Sequence, residues 1–262
     1  MTTVAEILAY VTSRSGHPLN ADEGVRHGDA ETNVESVLVC FVPSVPALQY
    51  AGEHGYSLVL GHEKLYSPYD PLVSRDSHHD WASWAPNAAR RELLERYGMT
   101  YARVHGTLDE LVVFDAFAEL LGLGAPCYEQ GFAKVYEIPP RPVGELLEEV
   151  KRRTGLAQVR ASLPHGPRQM VHRVGLPWGG LGLFVNVAYQ QELIAQGVDA
   201  LIAGESDDYG FRFSADLGVP MIETSHVASE GPGLCLFAKE LQAAFPSLDV
   251  RYYPNAPAWG VY

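Results

Sequence analysis

Histidine and carboxylate residues follow four apolar runs in this chain, and side chains of these types bind divalent cations. The runs are YSLVLG (56–61), TYARV (100–104), DALIAG (199–204) and VPMIET (219–224). The residues that follow them are His62 and Glu63; His105 and Asp109; Glu205, Asp207 and Asp208; and His226 and Glu230. Because ligand sites gather beyond the carboxyl ends of parallel strands, this arrangement predicts that the groups converge.

The combination of imidazole and carboxylate ligands favours Zn, Mn, Fe or Co. Cysteine is absent from the set, which argues against a structural zinc of the finger type. A carboxylate can also bridge two ions that lie roughly 3.5–4 Å apart, an arrangement that generates a hydroxide nucleophile and stabilises a displacement. The pattern therefore predicts a centre with two divalent metal ions.

Each candidate ligand also has a simpler interpretation. Glu230 fits a carboxylate at a helix start and His226 a polar turn residue. Asp109 fits an N-cap, with Thr107 as the rival, and His62 fits a polar residue at a strand end. Recurrence at four strand ends favours metal ligands, because independent capping does not predict it.

Other motifs give weaker evidence for a functional site. The segment SHHD (77–80) offers three ligands in succession, but it lies in an irregular stretch where adjacent side chains point apart. The glycine loop WGGLG (178–182) lacks the third glycine and the downstream acid of a dinucleotide site. The chain has no G-x-S-x-G elbow, and no cysteine near a His and carboxylate pair, so covalent nucleophilic catalysis is not indicated.

Strand-like runs alternate with helix-like segments, which predicts an α/β fold with a largely parallel sheet. The predicted strands are 36–42, 56–61, 100–106, 157–163, 169–176, 199–204, 219–224 and 249–254. The predicted helices are 4–13, 47–55, 87–98, 109–121, 144–155, 184–195, 210–217 and 231–245. Residues 124–142 are rich in Gly and Pro and predict a loop.

This alternation divides the chain into three parts. Residues 1–123 form a first α/β half, 124–170 a small insertion or linker unit, and 171–262 a second α/β half. The second half is expected to pack with the first as one compact unit.

The composition argues against two classes of binding partner. The chain of 262 residues is 47% hydrophobic and carries 32 acidic against 19 basic residues, for a net charge of −13. No run of Lys and Arg occurs, so nucleic acid and anionic membranes are poor partners. The N-terminus lacks a signal-peptide pattern and no stretch of eighteen apolar residues follows, which predicts a cytoplasmic protein.

Three segments resemble the signature segments of the Nif3-like (DUF34) family. They are LGHEKLY (60–66), VHGTLDE (104–110) and the segment 197–233, which contains GES and SHVASE. Members of this family look like dinuclear metal proteins and are sometimes labelled type 2 GTP cyclohydrolase I. The resemblance implies a fold of two related α/β halves and a toroidal homohexamer built from dimers.

The family motifs can be placed on this sequence residue by residue. The His-His-Pro motif falls on His62, Glu63 and Lys64; the His-Thr-x-Leu-Asp motif falls on His105, Gly106, Thr107, Leu108 and Asp109; and the Gly-His-x-x-Ser-Glu motif falls on Ser225, His226, Ser229 and Glu230. The resemblance implies that His62 and His226 hold one ion, that Glu63 and Asp109 hold the other, and that Glu230 bridges them.

Two positions depart from the family pattern. Glu63 replaces the second histidine of the pair, which adds negative charge and favours a harder metal such as Mn or Fe over Zn. Tyr209 replaces the histidine that follows the Gly-Glu pair, so a candidate proton shuttle becomes a phenol. Both changes indicate a divergent member with its own substrate.

The preferred hypothesis is a dinuclear metal-dependent hydrolase that attacks a C–N or C=N carbon of a small heterocyclic substrate, with chemistry like that of GTP cyclohydrolase type 2. His105 is then the proton-transfer residue, while Tyr209 and Glu205 face the substrate. The alternative is a metal-binding protein without turnover, acting as a metal insertase, a store or a regulatory partner. A third hypothesis is a metal-free interaction protein in which the two departures mark decay of the site.

Overall fold

The computed structural model describes residues 1–66 and 80–260. In chain order the strands are β1 (Thr2–Thr3), β2 (Gly24–His27), β3 (Asn33–Val34), β4 (Ser36–Cys40), β5 (Leu58–Gly61), β6 (Thr100–Arg103), β7 (Tyr128–Gln130), β8 (Ala133–Pro142), β9 (Arg160–Ser162), β10 (Met170–Gly175), β11 (Ala200–Ala203), β12 (Met221–Glu223) and β13 (Asp249–Tyr253). The helices are α1 (Val4–Ser15), α2 (Val45–Glu53), α3 (Ala85–Tyr97), α4 (Gly106–Leu108), α5 (Phe114–Leu120), α6 (Val143–Thr154), α7 (Val187–Ala195), α8 (Asp208–Asp216) and α9 (His226–Ala244). Residues 77–79 of the SHHD motif lie outside the described residues.

The chain forms two units, and each has its own sheet. The first unit comprises Met1–Val112 and Gly233–Asn255, and the second comprises Val113–Pro232 and Ala256–Tyr262. Helix α9 begins in the second unit and continues in the first. This arrangement confirms the predicted α/β fold with two α/β halves.

The first unit is built on a five-stranded sheet in the order β13-β4-β5-β6-β2. Strands β13, β4, β5 and β6 run parallel, and β2 pairs antiparallel with β6. The sequence SVLVC of β4 and LVLG of β5 is buried throughout, apart from the first residue of β4. Such continuous apolar runs are typical of parallel strands that are covered on both faces.

The second unit is built on a six-stranded sheet in the order β7-β8-β10-β11-β12-β9. Its central strands β10, β11 and β12 run parallel, and the remaining strands pair antiparallel. The region predicted as a small insertion supplies β7, β8 and β9 to this sheet. It therefore forms part of the sheet of the second unit.

Several predicted elements differ from the observed ones. Residues 133–142 form β8, although their prolines had indicated a loop. Helix α9 begins at His226 and contains Pro232, whereas the sequence predicts a helix that starts at residue 231. Ser225 explains the earlier start, because its Oγ accepts from the backbone N–H of Ala228 at 3.2 Å and caps the first turn. The predicted helix 109–121 opens with a π-helical turn, Asp109–Val113.

Within the described part of the chain, the helices are all too short or too polar to span a lipid bilayer.

Candidate functional site

The first cluster of candidate ligands lies at the carboxyl ends of β5 and β6 in the first unit. These neighbouring strands run parallel in register, with Gly61 opposite Arg103. His62 follows the last residue of β5, and His105 follows β6 by two residues. The parallel pairing therefore places both imidazoles at one edge of the sheet, as the sequence predicted. Their ring centroids lie 4.9 Å apart.

His62 is held in one tautomer by the backbone. Its side chain is fully buried, and Nδ1 lies 3.1 Å from the carbonyl oxygen of Val104. A carbonyl only accepts hydrogen bonds, so Nδ1 must carry the proton and the lone pair of a neutral ring lies on Nε2. That Nε2 lies 3.5 Å from Oδ1 of Asp109. In the neutral ring this nitrogen and the carboxylate oxygen are both electron-rich, an arrangement that a cation between them would stabilise.

Asp109 completes the first cluster. It begins the π-helical turn Asp109–Val113, a local distortion that is common at functional sites. His105 also approaches this carboxylate, with Nε2 at 4.0 Å from Oδ2. One ligand atom each from His62, His105 and Asp109 lies within 4.8 Å of the others. The cluster has the nitrogen and oxygen donors that borderline and hard divalent cations prefer.

Glu23 fixes the loop that carries His105 and Asp109. Its buried carboxylate accepts from the backbone N–H of His105 at 2.7 Å and of Thr107 at 2.9 Å. It also accepts from Thr107 Oγ1 at 2.6 Å and from the Asn20 N–H at 2.7 Å. Burial alone raises the pKa of Glu23, but the hydrogen bonds from Thr107, Asn20 and His105 outweigh that effect and lower the pKa. The carboxylate is therefore ionised and orders the loop backbone.

Arg103 is a buried cation beside the first cluster, with only 1% of its surface exposed. Its Nε donates to the carbonyl oxygen of His62 at 3.0 Å, and Nη1 donates to Oδ2 of Asp22 at 2.7 Å. Nη2 lies 3.8 Å from Oε2 of Glu63. Arg103 thus offsets negative charge from Asp22 and Glu63.

The second cluster lies at the carboxyl ends of β11 and β12 in the second unit. These strands also run parallel, with Ala203 opposite Glu223. Glu205 follows β11, while His226 and Glu230 lie on the first turns of α9. Ser225 precedes the helix at φ 110°, a conformation that favours glycine. Strain of this kind costs about 1–3 kcal/mol and is concentrated at functional sites.

His226 lies between two carboxylates. Its Nδ1 is 2.9 Å from Oε2 of Glu205, and its Nε2 is 3.0 Å from Oε1 of Glu230. The hydrogen bond with His226 lowers the pKa of Glu205, and the charges of His226 and Arg160 act in the same direction against burial. Glu205 therefore orients the ring through Nδ1, as carboxylates do for metal-binding histidines.

Arg160 and Glu223 hold the loop that carries Glu205. Glu223 is buried at the end of β12, forms an ion pair with Arg160 and accepts from the Ser206 N–H at 2.8 Å. Arg160 also donates from Nη2 to the carbonyl oxygen of Ser206 at 2.8 Å. These contacts fix the residue next to Glu205.

The glycine loop 178–182 packs against the second cluster. Gly179 has φ +52°, and a Cβ built on it would lie 2.2 Å from Oε1 of Glu230 and 3.3 Å from Nε2 of His226. The Gly179 N–H donates to Oγ of Ser229 at 2.9 Å, and its carbonyl accepts from the Glu205 N–H at 2.7 Å. The absence of a side chain at Gly179 therefore leaves room for the Glu230 carboxylate.

We expect Gly179→Ala to weaken Mn²⁺ binding about 10- to 100-fold, the range measured when groups that orient metal ligands are altered. The added Cβ displaces the Glu230 carboxylate, since 2.2 Å is far inside van der Waals contact. Calorimetric titration with Mn²⁺ measures the affinity, and thermal unfolding measures stability.

Gly155→Ala is the matched control for that substitution. Gly155 has φ +72°, and a Cβ built there meets no atom within 4 Å. It therefore carries the same backbone cost, about 1 kcal/mol, without touching a ligand. Equal Mn²⁺ affinity in the two variants would contradict the role of Gly179.

The structure brings the remaining predicted residues to different places. Tyr209 lies on α8 with 69% of its surface exposed, and its ring packs against Phe184 with the centroids 5.8 Å apart. Asp207 caps α8, because its Oδ1 accepts from the Gly210 N–H at 2.7 Å. Asp208 lines an open cavity of about 370 Å³ with Ser162, Phe211, Arg212 and Ala215.

Sequence reasoning missed the residues that hold the clusters in place. They are Asp22, Glu23, Arg103, Arg160, Gly179 and Glu223. One signal was available for Arg103, because a lone charge within the apolar run TYARV has to find a partner when it is buried. The adjacent acids Asp22 and Glu23 carried no periodicity that distinguishes them from surface residues.

A comparison with known protein families finds a match over nearly the whole chain. The sequence model of the Duf34/NIF3 (NGG1p interacting factor 3) family matches residues 3–256. No curated protein matches the chain significantly.

Several solved structures share the fold. The Staphylococcus aureus hypothetical protein SA1388 has a TM-score of 0.78 and 15% identity, with 99% of each chain covered. Protein ybgI, described as of unknown function, has a TM-score of 0.78 and 20% identity, with 98% of this chain and 99% of that chain covered. Reduced HcgD from Methanocaldococcus jannaschii has a TM-score of 0.73 and 17% identity, with 96% and 97% covered.

Proposed function

Because the chain belongs to the Duf34/NIF3 family, we propose that its two clusters of imidazole and carboxylate groups bind divalent metal ions and serve a hydrolytic reaction. The observation that carries the proposal is the pairing of His62 Nε2 with the Asp109 carboxylate at 3.5 Å, in a buried position where the backbone fixes the tautomer.

The proposed ligands are those of the resemblance: His62, Glu63, Asp109, His226 and Glu230. The chemistry of the donors fits Mn²⁺, Fe²⁺ or Zn²⁺, since all are imidazole nitrogens or carboxylate oxygens. The high share of carboxylates favours Mn²⁺ or Fe²⁺ over Zn²⁺. Two ions per chain, with Glu230 shared between them, is the stoichiometry that we propose.

When bound, the ions supply Lewis acidity and an activated water nucleophile near neutral pH. His105 lies beside the first cluster and is suited to move a proton through Nε2. Glu205 holds His226 in orientation and, with Tyr209, faces the substrate in this proposal. The proposed reaction is the hydrolysis of a C–N or C=N bond in a small heterocycle.

Metal content tests the proposal directly. We expect protein purified without chelator to carry two ions per chain by plasma emission, with anomalous scattering at the Fe, Mn and Zn edges to identify them. Removing tight ions with EDTA should lower the free energy of unfolding by about 3 kcal/mol, because a ligand at 100 times its Kd contributes that much. Metal binding would be contradicted if the purified protein carried no metal and its melting temperature did not change when EDTA was added.

A screen of heterocyclic substrates separates catalysis from storage. Turnover that is lost on chelation and restored by Mn²⁺ supports the hydrolase. Tight metal without turnover would instead support the metal insertase, store or regulatory partner. The small-molecule substrate, the homohexamer and the cytoplasmic location stay predictions of the sequence.

A further inference from the structure

We propose that the open cavity lined by helix α8 and strand β9 binds a free α-amino acid with an apolar side chain. The cavity has a volume of about 370 Å³, and its lining residues are Ser162, Asp208, Phe211, Arg212 and Ala215. This volume lies within the range of small-molecule sites, about 300–1,000 Å³. None of the five residues is among the proposed metal ligands, so the inference goes beyond the proposed function.

One face of α8 supplies four of the lining residues. Positions 208, 211, 212 and 215 are three or four residues apart, so their side chains lie on the same side of the helix. Ser162 lies on β9, which pairs with β12 at the edge of the six-stranded sheet. Both elements belong to the second unit, so the cavity lies entirely within that unit.

Three of the lining residues bring polar groups of different kinds to the cavity. They are the carboxylate of Asp208, the guanidinium of Arg212 and the hydroxyl of Ser162. Within residues 1–66 and 80–260, the side chains of these three residues form no hydrogen bond and no ion pair. Elsewhere in this chain the same spacing of four residues brings Glu92 and Arg96 into an ion pair. The charges of Asp208 and Arg212 are therefore available to a ligand.

The opposite charges of Asp208 and Arg212 favour a zwitterion over a simple ion. An anion that pairs with Arg212 meets the like charge of Asp208, and a cation that pairs with Asp208 meets the like charge of Arg212. An α-amino acid carries its ammonium and carboxylate groups on one carbon atom, so it can pair with two neighbouring side chains at once. Arg212 and the Ser162 hydroxyl can donate to the carboxylate, while Asp208 accepts from the ammonium group.

Phe211 and Ala215 form the apolar part of the lining. The guanidinium of Arg160 lies over the Phe211 ring, 5.4 Å from its centroid, and this contact helps to hold the ring in place. The charge of Arg160 is offset by its ion pair with the buried Glu223. An apolar side chain that packs against Phe211 and Ala215 is removed from water, which favours an apolar amino acid over a polar one.

NMR titration of the ¹⁵N-labelled full-length protein with L-leucine tests the site. We expect the backbone amide signals of Ser162, Phe211 and Ala215 to shift at millimolar L-leucine. Amino acids also chelate metal ions, so the titration is run with and without EDTA, and the shifts should be the same in both. Isocaproate lacks the amine of leucine and isopentylamine lacks its carboxylate, so each should bind at least about tenfold more weakly.

Asp208→Asn and Arg212→Gln are the test variants, because each removes one charge at an exposed position and keeps a polar side chain there. Each should weaken the binding of L-leucine at least about tenfold. Asp216→Asn is the matched control, since it makes the same chemical change on the last residue of the same helix, outside the cavity lining. It should leave the affinity for L-leucine unchanged.

Several results would overturn this inference. They are L-leucine that shifts none of the lining signals, shifts that occur only in protein containing metal, and Asp208→Asn protein that binds L-leucine as tightly as the wild type. Isocaproate that binds as tightly as L-leucine would also overturn it, because the cavity would then accept simple anions. Protein that carries no metal but binds L-leucine refutes the metal proposal and leaves this inference standing.

Discussion

Replacing Glu230 by Gln is expected to reduce the metal content from two ions per chain to one or none and to weaken Mn²⁺ binding at least about 100-fold. Glu230 is buried, and its Oε1 lies 3.0 Å from Nε2 of His226. The amide has the same shape but no charge, and it presents an NH₂ group where a cation needs an oxygen. Because we propose that Glu230 is shared by two ions, its loss should lower the affinity for both of them. Plasma emission and calorimetric titration with Mn²⁺ measure the loss.

Glu240→Gln is the control for this substitution, since it makes the same chemical change on the same helix. Glu240 pairs at the surface with Nη2 of Arg14 at 3.1 Å, and exposed pairs of this kind contribute at most about 1 kcal/mol. Metal content should stay at two ions in this variant. Two ions retained in Glu230→Gln would show that this carboxylate is not a ligand.

The positions of the candidate ligands were predictable because parallel strands end at a common edge. His62 and His105 follow β5 and β6, and Glu205 and His226 follow β11 and β12. The apolar runs that precede them identify buried strands from the sequence alone, before it is known which strands pair with them. Both pairs of strands are parallel neighbours, so within each unit the residues that follow the two strands lie at the same edge of the sheet.

The residues that hold the ligands were not predictable in this way. Glu23 and Arg103 contact backbone atoms that are far from them in sequence, and such contacts leave no periodic pattern. Strand β8 was missed for a related reason: its prolines at 139, 140 and 142 predict a loop, and only pairing with β10 makes the segment extended and ordered. The start of α9 was misplaced because Pro232 outweighed the capping signal of Ser225.

Replacing Glu23 by Ala is expected to lower the free energy of unfolding by about 3 kcal/mol, which corresponds to a fall in melting temperature of roughly 6–12 °C. The carboxylate accepts four hydrogen bonds, from the N–H groups of Asn20, His105 and Thr107 and from Thr107 Oγ1. Removing it leaves the buried N–H and Oγ1 of Thr107, and the part-buried N–H groups of Asn20 and His105, without their acceptor. The loop that carries Asp109 also loses its support, so Mn²⁺ affinity should fall about 10-fold or more. Thermal and denaturant unfolding of metal-free protein measure the stability.

The pH dependence of stability gives this prediction a second, independent signature. The folded-state pKa of Glu23 lies below its unfolded value, so its contribution is present above the ordinary carboxyl range and is lost as the pH falls through the folded pKa. The gap in stability between wild type and Glu23→Ala should therefore narrow below a pH of about 4. Glu53→Ala, at an exposed position on α2 where Oε1 accepts from Gln49, should change stability by less than about 0.5 kcal/mol at any pH. A gap for Glu23→Ala that is equally small, or that does not respond to acid, would mean that solvent replaces the carboxylate and that the loop after β6 is ordered by its own packing.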